Sequence, residues 1–387
     1  MGMSSVREFF RNNFVCLVPV VCLVCSLFSC SRTQYRIEVQ LDSINNYNGR
    51  RVLLALDDGT HIDSTIISGN SFVLEGRYAD SLSKQVAYLS MRDEMSLPLI
   101  IEPTTLYVKF HTQEVKGSEL NGVLTQFNRE VQAVKNNAIR GLNESYITTG
   151  SNTEEEVQRA GNTLKQSTQK YSDIGKQYLM RHPNDPIGIQ AVVLLLSTNN
   201  HFSEEELSQI KSLMGDVVAN NRRVRRLVLH HENYLQTQIG NLFTDFEGVT
   251  GNNQPIRLGD FVGKGKYTLI DFWSSWCKPC RIDINLLNKI NEVYRSHRLQ
   301  VVGVFVWDDP TNFPSVVELQ KIAWPQILDV QDVSTDLYGI RGIPYNVIFA
   351  PDGTIVSRGL RGDDLVNKLD SIFSTDKGHS LLRRRKV

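Results

Sequence analysis

Between Tyr267 and Tyr294 the chain reads as a strand, a tight turn and a helix, with two cysteines where the helix begins. An apolar run from Tyr267 to Phe272 enters the stretch Asp271-Phe272-Trp273-Ser274-Ser275-Trp276-Cys277-Lys278-Pro279-Cys280, and a helical pattern, Arg281 to Tyr294, leaves it. A side chain at a helix start meets backbone N–H groups that have no partner in the helix, and the positive end of the helix dipole. Both favour thiolate over thiol, and thiolate is the reactive form. Two thiols in Cys-X-X-Cys spacing can close into a disulfide across one turn and pass two electrons to another protein's cysteines. Pro279 suits the first turn, where the N–H it lacks would have no partner. The structural alternative is half of a zinc site. Zinc needs four ligands, whereas no cysteine follows Cys280 and the later histidines, His297 and His379, stand alone.

Trp276-Cys277-Lys278-Pro279-Cys280 after an Asp271-Phe272-Trp273 strand resembles the TlpA-like bacterial thiol–disulfide oxidoreductases, which have the α/β thioredoxin fold. The resemblance runs from about Leu242 to Phe373. It implies that Cys277 is the exposed nucleophile and that Cys280, one turn in and more buried, resolves the mixed disulfide. The Cys277–Cys280 disulfide would itself be the redox group, so no cofactor is expected; protein thiols and disulfides would be the substrates, and an upstream membrane electron donor would recharge the pair. Two carboxylates are candidates to accept the Cys280 proton. Asp271 matches the buried acid of thioredoxin, and burial would raise its pKa. Asp283 matches a glutamate of the family, but it is one methylene shorter, and Asn285 stands where the family usually has proline. Thioredoxin's lysine partner to the buried acid has no counterpart in Val301 to Val306. Ile343-Pro344 resembles the family's cis-proline, whose preceding backbone pairs with extended substrate. Trp273 and Trp276 would shield the thiolate and shape the docking surface; Lys278 replaces the common glycine, and its charge favours the thiolate.

The same resemblance locates other elements. A β-hairpin is expected over Phe246 to Leu258, and Val301 to Val306 is a continuous apolar strand suited to burial on both faces. An insertion follows, with a helix near Phe313 to Ala323, a strand near Gln326 to Leu328 and a helical turn near Val333 to Tyr338. A hairpin across Pro351-Asp352-Gly353 and a last helix, Asp363 to Phe373, complete the domain.

At the other end, Arg7 and Arg11 precede an apolar run from Phe14 to Phe28. That is short of the roughly twenty residues of a membrane span and reads as a secretion signal. It ends Leu27-Phe28-Ser29-Cys30, which resembles a bacterial lipobox with Cys30 as the lipidated residue; an uncleaved anchor and a plain cleaved signal are the alternatives. Cys16, Cys22 and Cys25 would leave with the signal, so Cys277 and Cys280 would be the free pair, in a compartment where disulfides form. The chain carries 42 basic and 42 acidic residues. Nothing in that balance points to nucleic acid, and the Arg383-Arg384-Arg385-Lys386 tail reads as a solvated end.

The segments between read as a multi-domain chain: a signal over 1–29, an all-β sandwich or small barrel over 30–117, a helical region over 118–238, a thioredoxin-like domain over 239–376 and a basic tail over 377–387. Short strands recur at regular spacing from Arg36 to Phe110, with Ile37, Val39 and Leu41 on one face. Leu53-Leu54-Ala55-Leu56, Ile62-Asp63-Ser64, Gly69-Asn70-Ser71-Phe72 and Lys116-Gly117-Ser118 resemble a domain of unknown function found ahead of thioredoxin domains in Bacteroidetes lipoproteins. Asp63 and Ser64 read as turn or capping residues. Leu120, Leu124, Phe127, Val131, Val134 and Ala138 form one helical seam, and Val157, Ala160, Leu164, Ser167, Tyr171, Ile174 and Tyr178 another. With a polar loop from Gly141 to Asn152, they predict an antiparallel hairpin packed on its own chain or, alternatively, serving as a dimer seam. His230-His231 reads as part of a solvated face, because adjacent helical side chains point apart.

The combined expectation is a lipid-anchored, periplasm-facing thiol–disulfide oxidoreductase that reduces protein disulfides. Two competitors are a peroxiredoxin-like peroxidase, against which Ser274 stands where that chemistry has threonine, and a binding or scaffold lipoprotein with a secondary redox role.

Overall fold

A computed structural model describes residues 32–42, 47–56, 59–79, 84–91, 95–147, 154–199, 202–295, 298–331 and 333–373. The predicted leader, Cys30 and the basic tail lie outside the described residues. The chain divides into two compact units: one holds residues up to Thr198 with Leu213–Arg223, the other Asn199–Ser212 with Val224 onward.

The first unit begins with two four-stranded sheets. Strands β1 (Arg32–Gln40), β2 (Arg51–Leu56), β3 (His61–Ile66), β4 (Ser71–Ala79), β5 (Val86–Met91), β6 (Met95–Ile100), β7 (Thr105–Lys109) and β8 (Glu114–Lys116) are arranged β4-β1-β7-β8 and β3-β2-β5-β6. Period-two alternation turns Ile37, Val39 and Leu41 of one sheet and Val52, Leu54 and Leu56 of the other into a single core. Asp63 accepts a hydrogen bond from the Tyr35 hydroxyl at 2.6 Å and another from the Ser64 N–H, a local structural role.

Helix α1 (Glu119–Ile147) is fixed to these sheets through buried polar groups. The Asn121 amide bonds both the N–H and the carbonyl of Ile100 at 2.9 Å, so neither backbone group is left unsatisfied. Helix α2 (Glu154–Arg181) returns against α1, with Phe127 edge-on to Tyr178. Two details correct the sequence expectation. The helix continues through Gly141 to Ile147, so the connection is shorter than predicted. Val157 and Leu164 of the expected seam are 63% and 52% exposed, while Glu156 and Ala160 are buried. The two helices approach closely at Gly141, where a Cβ would lie 3.0 Å from Thr163 Cγ2. Helix α3 (Pro186–Thr198) is apolar on nearly every face and buried, and Gly175 admits it. A Cβ at Gly175 would sit 2.5 Å from Leu195 Cγ.

What the sequence presents as one helical region is divided between the units. Helix α4 (Glu204–Ser212) and most of α6 (Arg222–Gln236) belong with the second unit, whereas the single turn α5 (Asp216–Ala219) stays with the first. Lys211 of α4 reaches Glu232 of α6 at 2.6 Å.

The second unit is built on a seven-stranded sheet, β10-β9-β13-β12-β11-β14-β15, made of β9 (Glu247–Val249), β10 (Pro255–Arg257), β11 (Tyr267–Trp273), β12 (Leu299–Phe305), β13 (Gln326–Leu328), β14 (Tyr345–Phe349) and β15 (Ile355–Arg358). β11, β12 and β13 are mutually parallel, and β14 and β15 complete the sheet antiparallel. Both faces are covered. Leu269, Val301 and Ile348 pack beneath α7 (Lys278–Tyr294) and α10 (Gly362–Phe373). Ile270, Phe272, Val302, Val304 and Val347 form the opposite core with Tyr338 and Ile340. Helices α8 (Phe313–Gln320) and α9 (Val333–Leu337) lie in the predicted insertion.

Arg358 ties the end of β15 to α6. Its guanidinium donates to the carbonyls of Thr237 at 2.7 Å, Tyr234 at 3.2 Å and Tyr338, and lies 4.6 Å above the Tyr234 ring. Without it the Thr237 and Tyr338 carbonyls would lose this donor, while the Tyr234 carbonyl would keep the Gln238 amide at 2.7 Å. Arg358→Ala should therefore lower unfolding stability by about 2–4 kcal/mol, and Arg358→Lys, with no planar fork, should recover less than half of that in urea titrations.

Candidate active site

Strand β11 and helix α7 bring the site together. Alternation along β11 places Leu269, Asp271 and Trp273 on the face that α7 covers and Ile270 and Phe272 on the other. The chain then turns through Ser274 and Ser275, and α7 starts on Cys277. Cys277 is the helix cap: its Sγ accepts the Cys280 N–H at 3.2 Å, and its carbonyl accepts the Arg281 N–H at 3.2 Å. Pro279 sits in the first turn, where its missing N–H costs nothing. Cys277 and Cys280 are joined in a disulfide, with Cα atoms 5.3 Å apart.

In this oxidised state Cys277 is 3% exposed, not the open sulfur the sequence led us to expect. Bonded to the fully buried Cys280, its sulfur turns into the core beside Trp273. The exposed apolar group of the loop is Trp276, at 60%, with Lys278 and Pro279 also at the surface.

The turn after β12 clamps this loop at consecutive residues. The Trp273 carbonyl accepts from Val306 N–H at 3.0 Å, and the Ser274 hydroxyl donates to the Val306 carbonyl. The Ser275 N–H donates to Asp308 at 2.6 Å, and the Trp276 indole N–H donates to the Trp307 carbonyl at 2.9 Å. Burial works against the Asp308 charge, but hydrogen bonds from Ser275 and Asn312 outweigh it and hold the carboxyl below the usual range. In the sequence Trp307-Asp308-Asp309-Pro310 showed only as the start of an insertion; its position at the end of a buried parallel strand was the usable signal.

The Ile343–Pro344 bond is cis. Phe272 pairs with Tyr345, so Pro344 stands at the strand end beside the cysteine loop, and Ile343 packs on both cores. The segment before it rests on α6. Gly339 has φ +59°, and a Cβ there would lie 2.5 Å from Tyr234 Cβ. Arg341 donates to His231 Nε2 at 2.6 Å. His231 is 1% exposed and edge-on to Phe202, which corrects the solvated-face expectation: of two adjacent histidines pointing apart, one points inward. Burial, then the Arg341 charge, lowers the His230 pKa to about 4.

Asp271 is buried under α7, and its pKa stands well above the ordinary carboxylate value. Burial is the main cause; the charge of Asp283 adds to it and that of Arg361 offsets it. Asp283, one turn beyond Cys280, pairs with Arg361 at 2.7 Å. Nothing in the sequence pointed to Arg361, which lies 78 positions from its partner.

Residues 239–358 match the AhpC/TSA family, and residues 35–124 match a domain of unknown function, DUF4369. The chain is 26% identical over 137 residues to thiol-disulfide oxidoreductase ResA of Geobacillus thermodenitrificans (strain NG80-2), covering 35% of this chain and 78% of that one. The C-terminal domain is a thiol–disulfide oxidoreductase of thioredoxin fold. ResA of Bacillus subtilis (strain 168) is 25% identical to the oxidoreductase domain over 105 residues, 27% of this chain and 58% of that one. Among solved structures, the thioredoxin domain of a thiol-disulfide oxidoreductase from Bacteroides vulgatus is 29% identical, covers 35% of this chain and 99% of that chain, and aligns with a TM-score of 0.33.

A raised pKa at Asp271 means that stability is complete below the unfolded value, about 3.9, and is lost as pH rises through the folded one. Asp271→Asn should remove that loss. Urea unfolding of the oxidised oxidoreductase at pH 5 and pH 8 should show the variant gaining on the wild type as pH rises; a constant difference would mean that Asp271 does not titrate in the fold.

Proposed function

We propose that this chain is a lipid-anchored, periplasm-facing reductase of protein disulfides, working through Cys277-Lys278-Pro279-Cys280. The observation that carries the reading is the cysteine pair itself: Cys277 caps a helix, with Cys280 in bonding distance. A helix start supports a thiolate on Cys277 in the reduced form. That thiolate attacks one sulfur of a substrate disulfide and the other sulfur leaves as a thiolate, giving a mixed disulfide on Cys277. Cys280 then loses its proton and attacks Cys277; the Cys277–Cys280 bond forms, and the second substrate sulfur leaves. Two electrons have passed to substrate, and an upstream membrane donor restores the dithiol. Trp276 and the Ile343 backbone, on either side of the pair, supply the docking surface for an extended segment. Cys30 would carry the lipid. The α1–α2 hairpin, with its exposed Val157 and Leu164, would serve as the dimer seam.

The isolated reduced protein should catalyse insulin precipitation, Cys277→Ser should abolish it, and Cys280→Ser should accumulate a mixed disulfide visible on a non-reducing gel. Insulin turnover surviving Cys277→Ser would overturn the reading. The Lys278 ammonium favours the thiolate, so Lys278→Gly should lower the reduction potential measured against glutathione, by about 10–30 mV for an exposed charge.

A further inference from the structure

The turn between β15 and α10, Gly359-Leu360-Arg361-Gly362, reaches back to the redox helix. Gly359 and Gly362 have φ +67° and +53°, a backbone that side chains rarely adopt, and they let the turn present Arg361 to α7. There the guanidinium meets Asp283 at 2.7 Å. The turn is also tied to β14: Asn346 Nδ2 donates to the Leu360 carbonyl, and the Gly359 N–H donates to the Asn346 carbonyl at 2.8 Å. Asn346 stands directly opposite Asp271 in the β11–β14 pairing. Side chains so paired lie on one face with Cβ atoms about 5 Å apart. Asn346 Oδ1 is buried with no hydrogen-bond partner among the described residues, the acceptor that a protonated Asp271 would use. Asp271, Asn346, Arg361 and Asp283 therefore form a connected group under and beside the helix that carries Cys280.

We propose that Arg361 is a positioning residue for the redox pair: it neutralises Asp283 and so leaves Asp271 able to take the proton that Cys280 gives up. The inference rests on the disulfide-reductase reading. In the resolving step the Cys280 thiol hands its proton to the Asp271 carboxylate, the Cys280 sulfur attacks Cys277 Sγ, and the bond from Cys277 to the outgoing thiolate breaks. Asp271 then returns the proton to solvent. An ionised Asp283 without its counter-charge would repel the charged form of Asp271 and hold it protonated. The groups acting on Asp271 are Asp283 from α7 and Arg361 from the turn; its strand neighbours, Gly303 on β12 and Asn346 on β14, do not titrate. Arg281 on α7 and Asp363 and Asp364 at the start of α10 are the nearby charges in sequence, and both aspartates are exposed.

The test is the pH dependence of resolution in the full chain. Reduced protein is mixed with 5,5′-dithiobis(2-nitrobenzoate), and the second release of thionitrobenzoate, driven by Cys280, is followed by stopped flow from pH 5 to pH 9. The rate should break at the pKa of the proton acceptor. Arg361→Gln should move that break upward by about half a unit or more, Arg361→Lys should largely restore it, and Asp283→Asn should move it downward. Asp271→Asn should remove it. Opposite shifts for the two halves of one ion pair are the signature of an electrostatic role, because loss of a merely structural pair would move both variants alike. An unshifted break in Arg361→Gln, or shifts of the same sign in Arg361→Gln and Asp283→Asn, would overturn the role of Arg361. Failure of the wild type to release the second thionitrobenzoate at any pH would instead sink the reductase reading.

Discussion

Cys277 Sγ accepts the Cys280 N–H at the first turn of α7, and the surrounding domain depends on the geometry this fixes. A helix leaves its first N–H groups without internal partners. Here the group that satisfies one of them is a cysteine sulfur. β11 aims the helix start, the sheet beneath is buried on both faces, and the residues after β12 grip the loop from Trp273 to Trp276. Packed elements therefore hold the cysteine loop on three sides, and Trp276 is left exposed at its surface.

Charge is arranged around the pair with similar economy. The helix start presents positive potential to Cys277, while behind Cys280 lie two carboxyls in unlike surroundings. Asp271 is buried and Asp283 is paired with Arg361. Burial raises the proton affinity of Asp271, which a reaction that moves one proton per step can use. Under the Ile343-Pro344 segment, the Arg341 guanidinium donates to the buried His231 ring at 2.6 Å.

The elements near the cysteines were legible because their signals are local. β11, α7, the β9–β10 hairpin, the inserted α8 and α9, and the β14–β15 hairpin all follow from runs of apolar residues, turn residues and the family resemblance. Contacts between distant segments were not legible. Arg361 meets Asp283 across 78 residues, Arg341 meets His231 across 110, and no periodicity connects either pair. On α2 the expected seam holds at Ala160 and Tyr178 but not at Val157 and Leu164, which are exposed. The division of the helical region was not legible either, since apolar stripes on α4 and α6 show that they pack but not against what.

Beyond residue 30 the chain holds no sulfur pair other than Cys277 and Cys280. So short a loop constrains the unfolded chain less than a long one would, so in loop entropy opening it costs the fold less. A domain stapled by further cystines could be unravelled by a dithiol in its own chain; among the described residues this one stands instead on packed strands and buried carbonyl contacts.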